Sequence, residues 1–354
     1  MKALLVLSDN IYLTPYLKFY TGVLEEAGYQ YKILYWDKNG NEAFNEDSCI
    51  RFSNSAKDKV GKVMGYLKFR KYVLETIKNG DFDLIIPLHS IVLICLYNTL
   101  KNRYSGRFIL DIRDYSYEKF PPYRKIERDL VKKSIMNIIS SKGYIHFLPK
   151  AEYSIVHNIP RVDCSQYRQT VNSSGIMNLS FIGLIRFMDQ NKKIIRFFHG
   201  DDRFHLSFVG TNAEKLQEYC NHIGADNVSL IGTFDSSKTL DFYKDADAIL
   251  NLYGNHTPML DYALSNKLYF SASLYKPILV CEDTYMEKVS QKYQLGFTLR
   301  MKDEKERDDL YSYLTSLNRV VFIKKCDEFM EMAIQEDKET RSELLKRISL
   351  LRKK

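Results

Sequence analysis

Two stretches of the chain, residues 180–195 (SFIGLIRFMDQNKKII) and residues 250–277 (LNLYGNHTPMLDYALSNKLYFSASLYKP), decide its fold. In the first, a short apolar run reaches Gly183 and then Arg186 before a helical pattern begins. In the second, an apolar run ends in a polar loop, and a further helical pattern precedes Pro277. Strand, loop and helix in this order are typical of a parallel sheet with helical connections. The two stretches therefore predict strand-loop-helix units of an α/β domain.

The loop after the first of these strands has the composition of an anion site. Gly183 allows a ligand to approach the backbone closely. Arg186, Lys192 and Lys193 bring positive charge, and the polar residues 189–191 begin a helix whose free N–H groups favour an anion. The pattern favours diphosphate binding. The alternative is that these basic side chains only solvate a loop.

Composition describes an ordinary globular chain with length for two hydrophobic cores. Of its 354 residues, 45% are hydrophobic and 27% are charged. The six cysteines are scattered without CxxC spacing, which argues against a zinc knuckle or a disulfide framework and favours reduced thiols in the cytoplasm. The apolar run before Ser8 is too short for a signal peptide. The longest apolar region, residues 84–100, is interrupted by Pro87 and His89 and is shorter than the roughly 20 residues needed to span a bilayer.

Strand and helix patterns alternate along the whole chain. In the first half the predicted strands are residues 2–7, 30–35, 84–87, 107–111 and 144–147, and the predicted helices are residues 16–26, 68–78, 91–101 and 126–139. After the polar residues 161–175 the predicted strands are residues 179–182, 205–209, 228–231, 248–252, 277–280 and 296–298. We expect two Rossmann-like, doubly wound α/β domains, residues 1–158 and 159–330. Residues 331–354 are expected to form a helix that packs back on the first domain or lies exposed.

Several common nucleotide and metal motifs are missing. No GxGxxG follows the first strand, where Leu7-Ser8-Asp9-Asn10 stands, and this disfavours a nicotinamide enzyme. No GxxxxGK[ST] occurs, so hydrolysis of nucleoside triphosphates has no support. The DxD spacings at residues 81–83 and 245–247 directly precede predicted strands, where aspartates commonly close turns. No metal site is predicted.

The net charge of +8 is concentrated in basic, aromatic segments. Residues 57–73 and 123–139 mix lysine, arginine and tyrosine with apolar residues at helical spacing, which suits an anionic membrane surface. The alternative for each is an amphipathic helix whose apolar stripe faces the core. Nucleic acid is not a predicted partner, because no nucleic-acid-binding motif accompanies the charge. Nothing in the sequence indicates the oligomeric state.

The order of these features resembles that of the GT-B glycosyltransferases, especially the retaining, family-four-like enzymes that build bacterial surface polysaccharides. The resemblance covers most of the chain. It implies two domains facing a central cleft, with a nucleotide-diphosphate sugar as co-substrate and no further cofactor. It also implies a metal-independent transfer of the sugar to an acceptor hydroxyl, with a lipid-linked oligosaccharide as acceptor. The implied location is the cytoplasm, with peripheral attachment to the inner face of the membrane.

The resemblance also implies which residues contact the donor. Arg186, with Lys192 or Lys193, would contact the diphosphate and stabilise its departure during catalysis. The other positions that match the family's donor site are Gly183, Gly210, Gly232, Thr233, Phe234, Asn266, Lys267 and Leu268. Tyr253, Asn255 and His256 offer hydrogen bonds to a sugar or form a plain loop turn. One departure stands out: Phe270 occupies the position where the family usually has a glutamate that binds the ribose.

Three predicted strands of the first half end in polar residues, and in an open α/β sheet such ends border the ligand cleft. They are Ser8-Asp9-Asn10, His89-Ser90 and residues 111–114. The resemblance makes this the acceptor side, where Asp114 or His89 would accept a hydroxyl proton or orient the acceptor. The alternatives are a salt bridge within residues 111–114 and a core histidine at position 89.

Two other functions fit the same plan. A non-hydrolysing nucleotide-sugar epimerase shares it but needs several carboxylates and histidines, which are sparse in the second half. A catalytically silent subunit that supports a partner transferase would explain Phe270.

Overall fold

The computed structural model describes residues 1–38, 40, 42, 47–54, 59–168 and 175–351. The chain divides into two compact units. The first comprises Met1–His157 together with Glu336–Lys354, and the second comprises Asn158–Gln335.

The first unit is built on parallel strands. They are β1 (Lys2–Leu7), β2 (Gln30–Asp37), β3 (Cys49–Ser53), β4 (Leu84–Leu88), β5 (Ile109–Ile112), β6 (Met136–Ile139) and β7 (Ser154–Ile155). Hydrogen bonds give the orders β3-β2-β1-β4 and β5-β6-β7, and a parallel bridge from Ile85 to Phe108 connects the two groups. The helices are α1 (Leu17–Glu26), α2 (Lys59–Asn79), α3 (Ser90–Asn98) and α4 (Pro121–Val131).

The second unit repeats this plan with six parallel strands in the order β10-β9-β8-β11-β12-β13. They are β8 (Met177–Ile182), β9 (Phe204–Val209), β10 (Val228–Ile231), β11 (Ala248–Asn251), β12 (Ile278–Val280) and β13 (Gly296–Thr298). Its helices are α5 (Met188–Phe198), α6 (Gln217–Ile223), α7 (Thr239–Lys244), α8 (Pro258–Asp261), α9 (Asn266–Leu274), α10 (Tyr285–Tyr293) and α11 (Glu304–Thr315).

Counted within its own unit, the second sheet has the strand order 3-2-1-4-5-6 of a Rossmann fold, and the first has the same order with β7 added as a seventh strand. The predicted fold class, two Rossmann-like α/β domains, is confirmed. The buried strands are almost wholly apolar, as expected where helices cover both faces of a parallel sheet. In each sheet the strand order reverses at one point, between β1 and β4 in the first and between β8 and β11 in the second. Ligands bind at the carboxyl ends of strands beside such a point.

The last helix, α12 (Arg319–Leu351), begins in the second unit and continues into the first. Leu344 and Ile348 are fully buried in the core of the first unit. The Tyr29 hydroxyl donates to the carbonyl of Ile348 at 3.0 Å, and Arg341 pairs with Glu26 at 2.6 Å. The helix predicted for residues 331–354 is thus the end of a longer one, and residues 352–354 lie outside the described part.

Two sequence predictions in the first unit were wrong. Residues 144–147 do not form a strand, because Lys142–His146 is a short 3-10 helix in which the buried Tyr144 donates its hydroxyl to the carbonyl of Arg113. The helix predicted for residues 126–139 ends at Val131, and Met136–Ile139 is instead strand β6, paired with β5 and β7. Strands β3 and β7 were not predicted.

Within the described residues, no helix has both the length and the apolar character needed to cross a bilayer.

Candidate functional site

Two closely packed glycines follow neighbouring strands of the second sheet, and one of them borders its reversal point. Gly183 follows β8 and Gly210 follows β9, with φ angles of 126° and 138°. A Cβ atom on Gly210 would lie 1.9 Å from the carbonyl oxygen of Gly183, so only glycine fits there. A Cβ atom on Gly183 would meet no atom within 4 Å. Gly210 therefore serves packing, whereas Gly183 leaves its backbone open to a ligand.

Arg186 lies exposed just before the start of α5. The loop that carries it is fixed at both ends, because Ile185 N–H donates to the carbonyl of Thr211 at 3.0 Å and the Asn191 amide donates to the carbonyl of Arg186 at 2.5 Å. Phe187 takes a left-handed conformation that turns the chain into the helix. Arg186 thus stands two residues before the first residue of a helix, whose N-terminus favours an anion.

The two lysines predicted as partners of Arg186 point to different surroundings. Lys192 lies over the ring of Tyr219, with its Nζ 5.5 Å from the ring centroid. Lys193 is exposed and lines a cavity on the other flank of α5. Neighbouring helical positions differ by about 100° around the axis, which explains the separation.

Lys267 is a buried cation enclosed by aromatic rings at the same reversal point. Its residue is 5% exposed, and its Nζ donates to the Tyr253 hydroxyl at 2.5 Å. The Nζ lies 3.9 Å from the centroid of Phe181 and 4.6 Å from that of Tyr253. Lys267 forms no ion pair with any of the described residues. Attraction to the faces of the two aromatic rings stabilises its positive charge instead. Tyr253 covers the cation.

The other predicted positions around α9 differ in accessibility. Asn266, the first residue of α9, is exposed. Leu268 is fully buried in the core and presents no surface to a ligand. In the preceding loop, the Asn255 amide donates to the carbonyl of Glu282 at 3.1 Å, and His256 is exposed with a φ of 61°.

The loop after β10 contains the predicted nucleobase contacts, Gly232, Thr233 and Phe234. The Thr233 hydroxyl lies 3.0 Å from that of Thr211 in the loop after β9, so the two loops are in contact. Phe234 packs against Phe242 with a centroid distance of 4.6 Å.

Phe270 belongs to the same apolar cluster as Phe234 and stacks on Tyr243 at 5.3 Å. Phe270, which the resemblance sets at the position of a glutamate, thus fills a packing position in this cluster. Sequence reasoning overlooked Asn251, the last residue of β11. Asn251 is buried, and its Oδ1 has no hydrogen-bond partner. Strand alternation puts it on the same face of the sheet as Ile249, which is part of this cluster. Its only sequence signal is an amide at the end of an apolar strand.

A cavity of about 490 Å³ lies beside the start of α5 and the loops after β11, β12 and β13. Gln190, Lys193 and Arg196 of α5 form one wall. Gly254, Asn255 and His256 form another, and the Arg300–Glu282 ion pair, 2.6 Å long, completes it.

At the reversal point of the first sheet, His89 is held between two hydroxyl-bearing residues. Ser8 N–H donates to Nδ1 at 3.3 Å, and the Thr14 hydroxyl lies 3.4 Å from Nε2. Burial lowers the pKa of His89 to about 4. The ring is therefore neutral, with its proton on Nε2, since Nδ1 accepts from the backbone.

The acidic residues after β5 have two different environments. Asp111 is buried and accepts from Arg113 at 2.8 Å and from the Tyr20 hydroxyl at 2.7 Å, so it belongs to a fixed ion pair. Asp114 is exposed at the same edge of the sheet.

Two buried carboxyls in the first unit escaped sequence reasoning. Glu118 and Glu127 are each 1% exposed, and one oxygen of each has no hydrogen-bond partner. Burial, followed by the nearby Glu118, raises the pKa of Glu127 to about 8. The signal was available, because Glu127 stands four residues after Tyr123 and three before Leu130, on the apolar stripe of α4.

In the described part of the chain, no three histidine, cysteine or acidic side chains are arranged to hold a metal ion.

No protein-family model matches the chain, and no curated protein matches it in sequence. Solved structures match it over nearly its whole length. Sucrose-phosphate synthase from Thermosynechococcus elongatus superposes with a TM-score of 0.69 at 10% identity, covering 97% of this chain and 99% of that one. Anabaena HepE in complex with UDP and glucose gives 0.67 at 11% identity, covering 96% and 98%. The lipopolysaccharide outer core galactosyltransferase WaaB gives 0.64 at 12% identity, covering 98% and 99%. The chain has the GT-B fold, which these glycosyltransferases share.

Proposed function

We propose that this protein is a glycosyltransferase that moves a sugar from a nucleoside-diphosphate sugar to an acceptor hydroxyl. The observation that carries the proposal is the open backbone of Gly183 next to Arg186 and the start of α5, at the strand reversal of a GT-B fold. HepE, a structural neighbour, was solved with UDP-glucose. Diphosphate binding at such a position uses helix N–H groups and a cation together.

In this account Arg186 stabilises the diphosphate as it leaves with developing negative charge. Lys192 and the buried Lys267 add positive charge around it. Cations of the protein would supply the electrostatic stabilisation, so we propose a metal-independent reaction. The resemblance favours retention of configuration at the transferred carbon.

The nucleoside would lie over Gly232, Thr233 and Phe234, in the loop after β10. Phe270 stands where the resemblance expects a glutamate, so the carboxylate that would bind the ribose is absent at this position. The Oδ1 of Asn251 has no hydrogen-bond partner and lies on the face of the sheet that packs against Phe270. We propose that this oxygen accepts a hydrogen bond from a ribose hydroxyl.

The acceptor would bind at the carboxyl edge of the first sheet. Asp114 is the better candidate for taking the hydroxyl proton, because burial lowers the pKa of His89 to about 4 and makes its neutral ring a weak base. Exposed apolar side chains occur in the connections that follow strands at this edge: Tyr12 and Leu13 after β1, Phe120 after β5 and Ile145 after β6. They support a lipid-linked oligosaccharide as the acceptor, and with it a role in capsule, exopolysaccharide or O-antigen synthesis.

Helix α2 supports peripheral attachment to the inner face of the cytoplasmic membrane. Val63, Met64 and Leu67 are exposed on a helix that also carries Lys62 and Lys68. Lys57 and Asp58, which begin the predicted basic segment, lie outside the described residues. Sedimentation with vesicles containing anionic lipid should retain the protein at low salt and lose it when Leu67→Ser and Val63→Ser are combined. Equal sedimentation of both proteins would rule out this helix as the attachment site.

Donor turnover tests the central proposal. Arg186→Ala should lower the rate of donor consumption by about a hundredfold, the usual cost of one transition-state contact to a developing anion. Lys288→Ala, which removes an exposed cation of α10, is the control and should turn over normally. Unchanged turnover in Arg186→Ala would refute the diphosphate role.

A catalytically silent GT-B subunit remains the second candidate, favoured by the packing of Phe270 on Tyr243. Such a subunit would bind no nucleoside diphosphate, and its loss would be felt only through a partner transferase. Binding of a nucleoside diphosphate by the isolated protein separates the two proposals.

A further inference from the structure

The cavity beside α5 carries an excess of positive charge. Lys193, Arg196 and Arg300 line it, against the single carboxylate of Glu282, which is already paired with Arg300. Lys193 and Arg196 form no ion pair with any residue that the structure describes. Two cations are thus left without a protein counter-charge on one wall of the cavity.

We propose that this cavity binds the transferred sugar and that the sugar carries a carboxylate, as a hexuronic acid does. The inference rests on the proposed function, because the sugar must be attached to a diphosphate at the start of α5. The volume of the cavity, about 490 Å³, lies within the range of pockets that enclose small ligands.

The position of the cavity suits the sugar of a donor held by Arg186. Gln190, in the first turn of α5, borders the cavity, and a Cβ atom on Gly254 would lie 3.9 Å from the Gln190 Cδ. The cavity therefore begins within one helical turn of the start of α5, where the proposed diphosphate binds. A sugar bonded to that diphosphate would extend along α5 past this turn to reach Lys193 and Arg196.

The geometry of the two cations suits a carboxylate. Lys193 and Arg196 stand three positions apart on α5, so their side chains emerge from neighbouring points on one helix face. An arginine fork binds a carboxylate through two parallel hydrogen bonds, and a lysine adds a point charge. Glu282 is the one acidic side chain in the lining, so the charge of the cavity favours an anionic sugar over a neutral one.

Paired donors that differ only in charge test the proposal. Calorimetric titrations would use UDP, UDP-glucose and UDP-glucuronate, together with GDP, GDP-mannose and GDP-mannuronate. With the nucleotide that binds, the uronate should bind about tenfold more tightly than its neutral counterpart, as expected for one charge-assisted contact. Arg196→Gln and Lys193→Gln should each remove most of this preference and leave the neutral donor's affinity within about twofold of wild type. Lys288→Gln, which removes an exposed cation of α10, should keep the preference.

The outcomes separate this inference from the function on which it rests. If a nucleoside diphosphate binds but the uronate has no advantage, the carboxylate proposal is wrong and the transferase proposal stands. If Arg196→Gln weakens the free diphosphate, the neutral donor and the uronate alike, the cavity holds the diphosphate, and the inference is again wrong. If no nucleoside diphosphate binds, the proposed function itself fails.

Discussion

At the scale of single residues, Gly183 and Gly210 of the second unit differ in the space around them. Both have positive φ angles, which cost any other residue about 1–3 kcal/mol. Only Gly210 also faces a backbone atom at 1.9 Å from its would-be Cβ. Gly183→Ala should therefore cost about 1–3 kcal/mol of unfolding free energy, and Gly210→Ala clearly more, because the backbone of Gly183 must move. Urea unfolding of both variants measures this, and equal losses would show that the two loops are not packed as described.

The raised pKa of Glu127 makes stability depend on pH. A carboxyl whose pKa is about 8 in the folded protein, against about 4.5 unfolded, contributes stability that is complete below pH 4.5. That contribution is lost as the pH rises through 8. Glu127→Gln should remove this loss and be more stable than wild type at pH 8.5, by about 2–4 kcal/mol. Thermal unfolding between pH 5 and 8.5 measures the difference.

Glu152→Gln provides the matched control, since the same substitution is made at an exposed position of the same unit. Its pH profile should follow wild type. If the profile of Glu127→Gln also follows wild type, Glu127 ionises normally in the folded protein.

Sequence reasoning could place Gly183 and Arg186 at the end of a strand, but it could not give the directions of side chains. Gly183 and Arg186 stood out in the sequence because a glycine and a cation closely follow an apolar run. The divergence of Lys192 and Lys193, the aromatic enclosure of Lys267 and the burial of Leu268 depend on helix phase and on residues distant in sequence. These required the structure.

At the scale of elements, α12 contributes to the core of the first unit from the far end of the chain. Leu344 is fully buried there, whereas Leu350 is 53% exposed. Leu344→Ala should cost about 2–5 kcal/mol, and Leu350→Ala at most about 0.5 kcal/mol. Chemical denaturation distinguishes them. A small loss for Leu344→Ala would mean that the end of α12 is not part of this core.

Most helices and strands could be predicted from the spacing of apolar residues, and the wrong or missed ones have identifiable physical causes. Residues 126–139 have one continuous helical pattern, but pairing with β5 and β7 on either side draws Met136–Ile139 into the sheet. Strand β7 has only two residues, too few for any alternation to be visible. In the first case tertiary pairing overrode local propensity, and in the second the strand was too short to be seen.

At the scale of the whole molecule, the alternation of strands and helices was sufficient to predict two Rossmann-like domains. The 3-2-1-4-5-6 strand order was not deducible from alternation, because it depends on where the chain reverses direction across each sheet. That order fixes the reversal points, and with them the positions of Gly183, Arg186 and His89. Within each unit, the fold thus explains why residues far apart in sequence lie at its reversal point.

The most direct test of the account is a calorimetric titration of the purified protein with UDP, GDP, TDP and ADP, repeated with Arg186→Gln. The account predicts that one nucleoside diphosphate binds and that Arg186→Gln weakens it about tenfold or more, the expected loss of a charge-assisted contact to phosphate. Binding of none of the four, or equal binding to both proteins, would contradict a donor diphosphate at the start of α5.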